Sequence, residues 1–231
     1  MLQLAIGNKN YSSWSMRPWV LLRHFDIPFE EHLLRFDSFE PDSQFKQAVL
    51  QWSPVAKVPV LRDGPLLVWD TLAIAEYLAE YAAQHHPRHA LWPRASAARA
   101  RARSLCAEMH SGFGALRSAC PMNIEASLPE MGARALARQP AVVADLARLT
   151  AMWGEALAAS GGPFLFGEFS IADAYFAPVA ARMRGYALPL PAVLGAYVER
   201  LWASPGVAAW VKDALAEHDF LDFEEPYRRL R

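Results

Sequence analysis

Between Leu2 and Ala83 the hydrophobic period switches repeatedly between two and about 3.6 residues, and after residue 84 it stops switching. Leu2, Leu4 and Ile6 alternate as in a strand. Residues 14–26 follow at helical spacing, with Trp14, Trp19, Val20, Leu22 and Phe25 apolar and Pro18 near the first turn, where a missing N–H is tolerated. Asp26-Ile27-Pro28 ends that helix, Phe29–Phe36 reads as a second strand, and Phe39–Leu50 as a short, poorly patterned helix with Pro41-Asp42 near its start. Val58–Arg62 and Leu66–Trp69 flank Asp63-Gly64-Pro65, the signature of an antiparallel hairpin, and Thr71–Ala83 returns to helical spacing. The order βαβα then ββα predicts a four-stranded mixed sheet with helices on its faces. The crossover makes parallel strands and the hairpin adds antiparallel ones.

Residues 84–93 form a polar, proline-containing linker with His85, His86 and His89, read as a solvated loop rather than a metal site. Beyond it every long segment reads as helix: roughly 94–119, 125–138, 140–159, 172–186, 191–203 and 205–218. The charged, aromatic tail from Asp219 to Arg231 has no clear period and either packs back or frays. The expected organisation is therefore an α/β domain over 1–83, a linker over 84–93 and an all-helical domain over 94–231. At 231 residues and 53% hydrophobic, the chain has ample material for a buried core. Residues 1–83 carry 7 basic and 10 acidic side chains and the remainder 16 and 14, so neither part is basic enough for nucleic acid. Two cysteines, Cys106 and Cys120, lack any ligand spacing, which argues against a disulfide framework or a zinc site. No run approaches the ~18 apolar residues of a membrane span, and the chain reads as a protein of a reducing cytoplasm, with no membrane partner.

Four short motifs carry chemistry. Tyr11-Ser12-Ser13 stands before the first helix, where free N–H groups and the dipole favour an anion such as a thiolate, although a serine there is also an ordinary N-cap. Val58-Pro59 opens a strand with a residue that removes a ladder donor. Either a trans proline merely marks the strand entrance, or a cis bond turns Val58 to offer its N–H and C=O to a peptide-like ligand. Asp70-Thr71 sits where the hairpin hands over to a helix, able to cap it or to grip a ligand's charged end. Ser170-Ile171-Ala172-Asp173 has capping-box spacing and reads as structural. Arg17 places a cation one turn into the first helix, against the dipole, which suggests an anionic substrate or a neighbouring salt bridge.

In order and spacing these motifs resemble the cytosolic glutathione transferases over essentially the whole chain. The resemblance implies a thioredoxin-like N-terminal domain, an all-helical C-terminal domain, glutathione as cosubstrate and a homodimer. Tyr11-Ser12-Ser13-Trp14-Ser15 looks most like the Ser-Ser-Cys segment of the zeta class, with Trp14 where that class has cysteine. By this resemblance Ser12 activates the glutathione thiolate, with Ser13 second and Tyr11 third. Val58, next to Pro59, bonds the cysteinyl backbone, Asp70 and Thr71 hold the γ-glutamyl end, and Lys57 meets the glycyl carboxylate. A small electrophile would sit between the domains against Trp14, Arg17, Met109, His110 and Phe113, the last three being core residues on the plainer reading. The reaction implied is transfer of glutathione to the electrophile, with cis–trans isomerisation of the maleylacetoacetate type, or binding without turnover, as alternatives.

Overall fold

The computed structural model describes residues 1–228. Strands β1 (Leu2–Ile6), β2 (Phe29–Leu33), β3 (Val60–Asp63) and β4 (Leu66–Trp69) form one sheet in the order β2-β1-β3-β4. β1 runs parallel to β2 with Leu2 opposite Phe29, and antiparallel to β3 with Leu4 opposite Leu61; β3 and β4 form the hairpin, with Leu61 opposite Val68. Helices α1 (Ser13–His24), α2 (Gln44–Leu50) and α3 (Thr71–His85) complete this thioredoxin-like unit. An all-helical unit follows: α4 (Ser96–Ser111), α5 (Gly114–Ala119), α6 (Pro129–Arg138), α7 (Pro140–Ser160), α8 (Ile171–Gly185), α9 (Ala192–Trp202) and α10 (Pro205–Glu217).

Several boundaries differ from the sequence reading for local reasons. The second strand stops at Leu33, and residues 37–43 are irregular because Asp37 accepts the amides of Gln44 and Phe45 while Ser43 caps α2 through Lys46 N. Pro18 lies in the second turn of α1, where it removes the amide that would otherwise reach the Trp14 carbonyl. The segment 94–119 is two helices. Gly112 closes α4 by donating to Glu108 O, so tightly that a Cβ there would lie 2.8 Å from that oxygen. Phe113 then turns left-handed at φ 58°, and Asp145 of α7 caps α5 through Leu116 N.

The sheet's apolar residues Leu2, Leu4, Ile6 and Leu61 share one continuous core with α1, α3 and the helical unit; a second small cluster of Tyr11, Phe36, Phe45 and Val49 lies under α2. α8 is buried along nearly its whole length and packs on α1, α4 and α9. The Ser-x-x-Asp motif is a hub. Asp173, fully buried, accepts Ser170 N, Ser170 Oγ, Leu165 N and Tyr197 Oη at 2.9–3.1 Å, and so fixes the start of α8 to the preceding loop and to α9.

α10 and the tail clamp the loop that leads into α1. Lys9, 4% exposed, bridges Glu31 and Asp213 at 2.9 and 2.6 Å and lies over the Trp19 ring, while its carbonyl accepts Trp210 Nε1. Glu217 accepts the amides of Lys9 and Asn10. The tail packs back as far as Tyr227 and Arg228; residues 229–231 of that segment lie outside the described residues.

His24 lies between the units, stacked 3.5 Å from Phe169, with its Nδ1 buried and unpartnered among the described residues. Burial pushes its imidazole down to about 4. The fold thus resists a proton that the unfolded chain accepts near 6.5, so His24 contributes stability at neutral pH that is lost as pH falls from about 6.5 to 4. Partial exposure limits the effect to roughly 1–2 kcal/mol. Asp173, raised to about 6 by its own burial, acts in the opposite sense, its contribution falling as pH rises through that same window. The His24 effect is therefore read as a difference: His24→Phe, which keeps the stack, is expected to lose less stability than wild type between pH 7.5 and 4.5 in urea titrations. Parallel pH dependences would contradict it.

Candidate active site

A cleft of about 920 Å³ opens between the two units, large enough for a peptide-sized ligand and a second molecule. Its sheet-side wall carries Ser12, Ser13, Trp14, Val58, Asp70 and Thr71, with Tyr11, Lys57 and Pro59 also lining it. The sequence motifs, up to 60 residues apart, converge there because β3 runs antiparallel to both β1 and β4, with Val60 opposite Ala5 and Trp69, so that the start of α1, the entrance of β3 and the start of α3 lie at one end of the sheet.

Ser12, nearly buried, is the N-cap residue of α1 without capping it through its side chain. Its hydroxyl bonds instead to Ser15 Oγ at 2.7 Å, and Ser15 Oγ in turn accepts Gly7 N at 3.1 Å. Hydroxyl protons rotate, so Ser15, already holding the Gly7 amide, can give its proton to Ser12 and leave the Ser12 proton for an acceptor in the cleft. Ser13 begins α1, and its hydroxyl makes no hydrogen bond to the described residues. Tyr11 is differently placed: its hydroxyl donates to Glu225 at 2.5 Å and accepts Leu221 N, and burial with that carboxylate raises its pKa further above the phenol range. Its hydroxyl is committed to the tail, leaving the serines as the available donors.

The Val58-Pro59 bond is cis. Val58's own N–H and C=O have no partner among the described residues, the ladder beginning only at Val60. Lys57 is exposed, and Lys46 Nζ is held by Ala56 O. At the α3 start, Asp70 Oδ1 caps Leu72 N and Oδ2 lies 3.2 Å from His110 Nε2. Thr71's hydroxyl faces inward, 2.6 Å from Tyr175 Oη and 3.5 Å from Arg17 Nη1, so the Thr71 amide is the group left at the first turn of α3.

On the helical side the sequence reading needs correction. His110 lines the cleft, its imidazole pushed down by burial and wedged between Asp70 and Tyr175. Met109 does not line it: one step along the helix, it is 1% exposed in the core. Phe113 does not either, because the left-handed turn after Gly112 carries it into the core at 6% exposure. Arg17 is buried behind the wall, its guanidinium 4.2 Å from the centroids of both Trp14 and Tyr175, with Nε unpartnered and no carboxylate partner among the described residues. Burial presses it down to about 10. Neither cysteine lines the cleft; both are buried with thiols pushed up, Cys120 to about 11.

On the helical side and the tail the cleft is also lined by Arg117, Pro121, Met122, Arg182 and Glu224, none of which the sequence reading assigned to it. The break at Gly112 was the one local signal for the first three, since it redirects the chain after α4.

A mixed four-stranded sheet with a cis proline at the edge of the cleft, joined to a helical bundle across it, defines a thioredoxin-like unit followed by an all-helical one. The chain belongs to the glutathione S-transferase family: residues 11–81 match the family's N-terminal domain and 97–231 its C-terminal domain. It is similar to a glutathione transferase homologue from Burkholderia GL BGR1 solved with bound glutathione, at 25% identity over 94% of this chain and 99% of that one, with TM-score 0.68. It shares its fold with a glutathione transferase from Methylococcus capsulatus (22% identity, 94% and 100% covered, TM-score 0.67). The same holds for a theta-class glutathione S-transferase from Xanthomonas axonopodis pv. citri with glutathione bound (23%, 91% and 96%, TM-score 0.63). No curated protein matches the sequence. No helix among the described residues is long and apolar enough to cross a membrane.

Proposed function

We propose that this chain is a glutathione transferase in which Ser12 activates the glutathione thiolate for attack on a small electrophile. The observation that carries this reading is the convergence, on one wall of the cleft, of the Ser12–Ser15–Gly7 hydrogen-bond chain at the start of α1 with the unpartnered main chain of Val58. Glutathione's cysteinyl backbone fits the Val58 N–H and C=O as a short strand addition. Asp70, whose two oxygens offer more lone pairs than Leu72 N and His110 use, takes the γ-glutamyl ammonium, and the Thr71 amide with the α3 dipole takes its carboxylate. Lys57 reaches the glycyl carboxylate.

A free thiol with pKa about 8.5 is a few per cent ionised at neutral pH. A hydrogen bond from Ser12 and the α1 dipole favour the thiolate, the thiol proton passing to water. The sulfur lone pair then forms the new C–S bond; a leaving group departs with its bonding electrons, or an activated double bond takes up a proton. Ser13 is the second donor available for this role. The Ser12-Ser13 pair also supports placement near the zeta class. Trp14 in place of cysteine, and cysteines buried elsewhere, argue against thiol–disulfide exchange. A cytoplasmic homodimer completes the proposal; Leu66 and Trp69, 45% and 43% exposed on the edge strand β4, supply apolar surface of the kind such contacts cover.

Calorimetric titration with glutathione, with ultraviolet absorbance following the bound thiolate, tests the reading in wild type, Ser12→Ala and Ser13→Ala. Saturable binding with a thiolate signal that one serine variant abolishes is the expected result. No binding to wild type would leave a family member without this activity.

A further inference from the structure

A run of hydrogen bonds leads from behind the cleft wall to Asp70 and draws on four helices. Arg17 Nη1 of α1 lies 3.5 Å from Thr71 Oγ1 of α3, which is 2.6 Å from Tyr175 Oη of α8. Tyr175 Oη is 3.3 Å from His110 Nδ1 of α4, and His110 Nε2 is 3.2 Å from Asp70 Oδ2. With a neutral imidazole, the proton positions follow one from another. The Asp70 carboxylate only accepts, so His110 carries its proton on Nε2 and Nδ1 is an acceptor. Tyr175 then donates to Nδ1, Thr71 donates to Tyr175 Oη, and Thr71 Oγ1 is left to accept from Arg17, which has donors only. No donor in the run is set against a donor, and no lone pair against a lone pair. The neutral state has a physical cause: burial lowers the imidazole's pKa, Asp70 opposes that, and Arg17 and Arg117 add to it. The ring also meets Trp14 edge-on, at 5.1 Å between centroids.

Asp70, where this run ends, also stands out in its backbone: at φ 50° and ψ 149° it occupies a region that L-residues rarely adopt and that persists only where the surroundings over-determine it. Its Oδ1 makes an ordinary cap to Leu72 N within the first turn of α3, whereas its Oδ2 is tied to the helical unit through His110. We infer that His110 is a positioning residue for recognition of the γ-glutamyl amine: by donating from Nε2 to Oδ2 it fixes the plane of the Asp70 carboxylate, and the lone pairs left on the two oxygens are held ready for the ligand's ammonium. The run behind it fixes the ring in turn, because Tyr175 and Thr71 are buried and cannot swing away. One end of the glutathione site on the thioredoxin-like unit thus depends on a side chain from the helical unit. The inference deepens the transferase reading and rests on it for the identity of the ligand.

Asn and Gln separate the two ring nitrogens, since the Asn amide nitrogen falls near the place of Nδ1 and the Gln amide nitrogen near that of Nε2. His110→Gln therefore keeps a donor for Asp70, and His110→Asn does not. Both variants and wild type are titrated calorimetrically with glutathione and with glutaryl-cysteinyl-glycine, which lacks only the γ-glutamyl amine. Wild type is expected to prefer glutathione by roughly tenfold or more, as for a hydrogen bond between charged groups. His110→Asn is expected to lower that preference roughly threefold or more, and His110→Gln to retain most of it. His110→Phe takes the place of His110→Asn if that variant does not fold. A preference unchanged in His110→Asn, a fall in affinity equal for the two ligands, or a His110→Gln variant no better than His110→Asn would overturn the inference. So would a wild type that binds both ligands alike, which leaves the glutathione reading standing; a wild type that binds neither overturns both.

Discussion

Asp173→Ala is expected to lower the melting temperature by roughly 10 °C, about 3–4 kcal/mol, the largest stability loss of any single polar side chain described above. The reason is the number of donors abandoned. Leu165 N, Ser170 N and Tyr197 Oη sit in a dry interior around the Asp173 carboxylate, and each buried donor left unpaired costs about 1–3 kcal/mol. Relaxation of the loop before α8 recovers part of that sum. Asp173→Asn keeps one acceptor but turns an amide N–H toward a group that needs an acceptor, so it should fall between the two. Ser170→Ala removes the serine's bond to Asp173 Oδ2 and its half of the capping box, and should cost about 1 kcal/mol. Thermal melts of the three variants check the order; an alanine variant melting within about 2 °C of wild type would show that the hub does not hold α8.

Ser12→Ala is expected to lower turnover with glutathione at pH 6.5 by roughly 10- to 100-fold. A charge-assisted hydrogen bond contributes about 1.5–3 kcal/mol to the thiolate, equivalent to one to two pKa units of the bound thiol. The sign follows directly: without the donor the bound thiol ionises at higher pH, so the deficit is largest in mild acid and shrinks as pH rises past the free-thiol value of about 8.5. A deficit that stayed constant from pH 6 to 9.5 would mean that Ser12 positions glutathione without favouring its ionised form. Ser15→Ala is the companion. It leaves the Ser12 hydroxyl in place but removes the group linking it to Gly7 N, so a smaller loss with the same pH dependence is expected, whereas Ser13→Ala should alter it little.

The hydrophobic periods carried most of the fold. Leu2, Leu4 and Ile6 alternate because one face of β1 is buried, and the hairpin turn at residues 63–65 fixes β3 against β4 whatever packs on them. Local chemistry also marked Ser12, Ser13, Val58 and Asp70, because helix starts and strand entrances are written in single residues. Where the reading missed, the competing signal was local too. Asp37 and Ser43 held back the start of α2, and Gly112 broke a helix that the apolar spacing carried through.

The helical wall of the cleft is another matter. Met109 and His110 are neighbours in sequence with opposite fates, one in the core and one on the cleft, since a helical step of about 100° separates their faces and only the packing of α4 on α8 sets which face is which. Arg17 looked like a cation offered to a substrate and proved to be sandwiched between Trp14 and Tyr175, a residue 158 positions away. Arg117 and Arg182 meet across 65 positions of chain, and the hydroxyl of Tyr11 was claimed by Glu225 from the far end. Periodicity, turns and caps depend on residues within a few positions of one another, so the order of elements and the sheet-side wall follow from the chain itself. Which helix face meets the cleft, and which charges it leaves without partners, is decided by contacts between residues far apart in sequence, and only the folded arrangement of the two units brings those together.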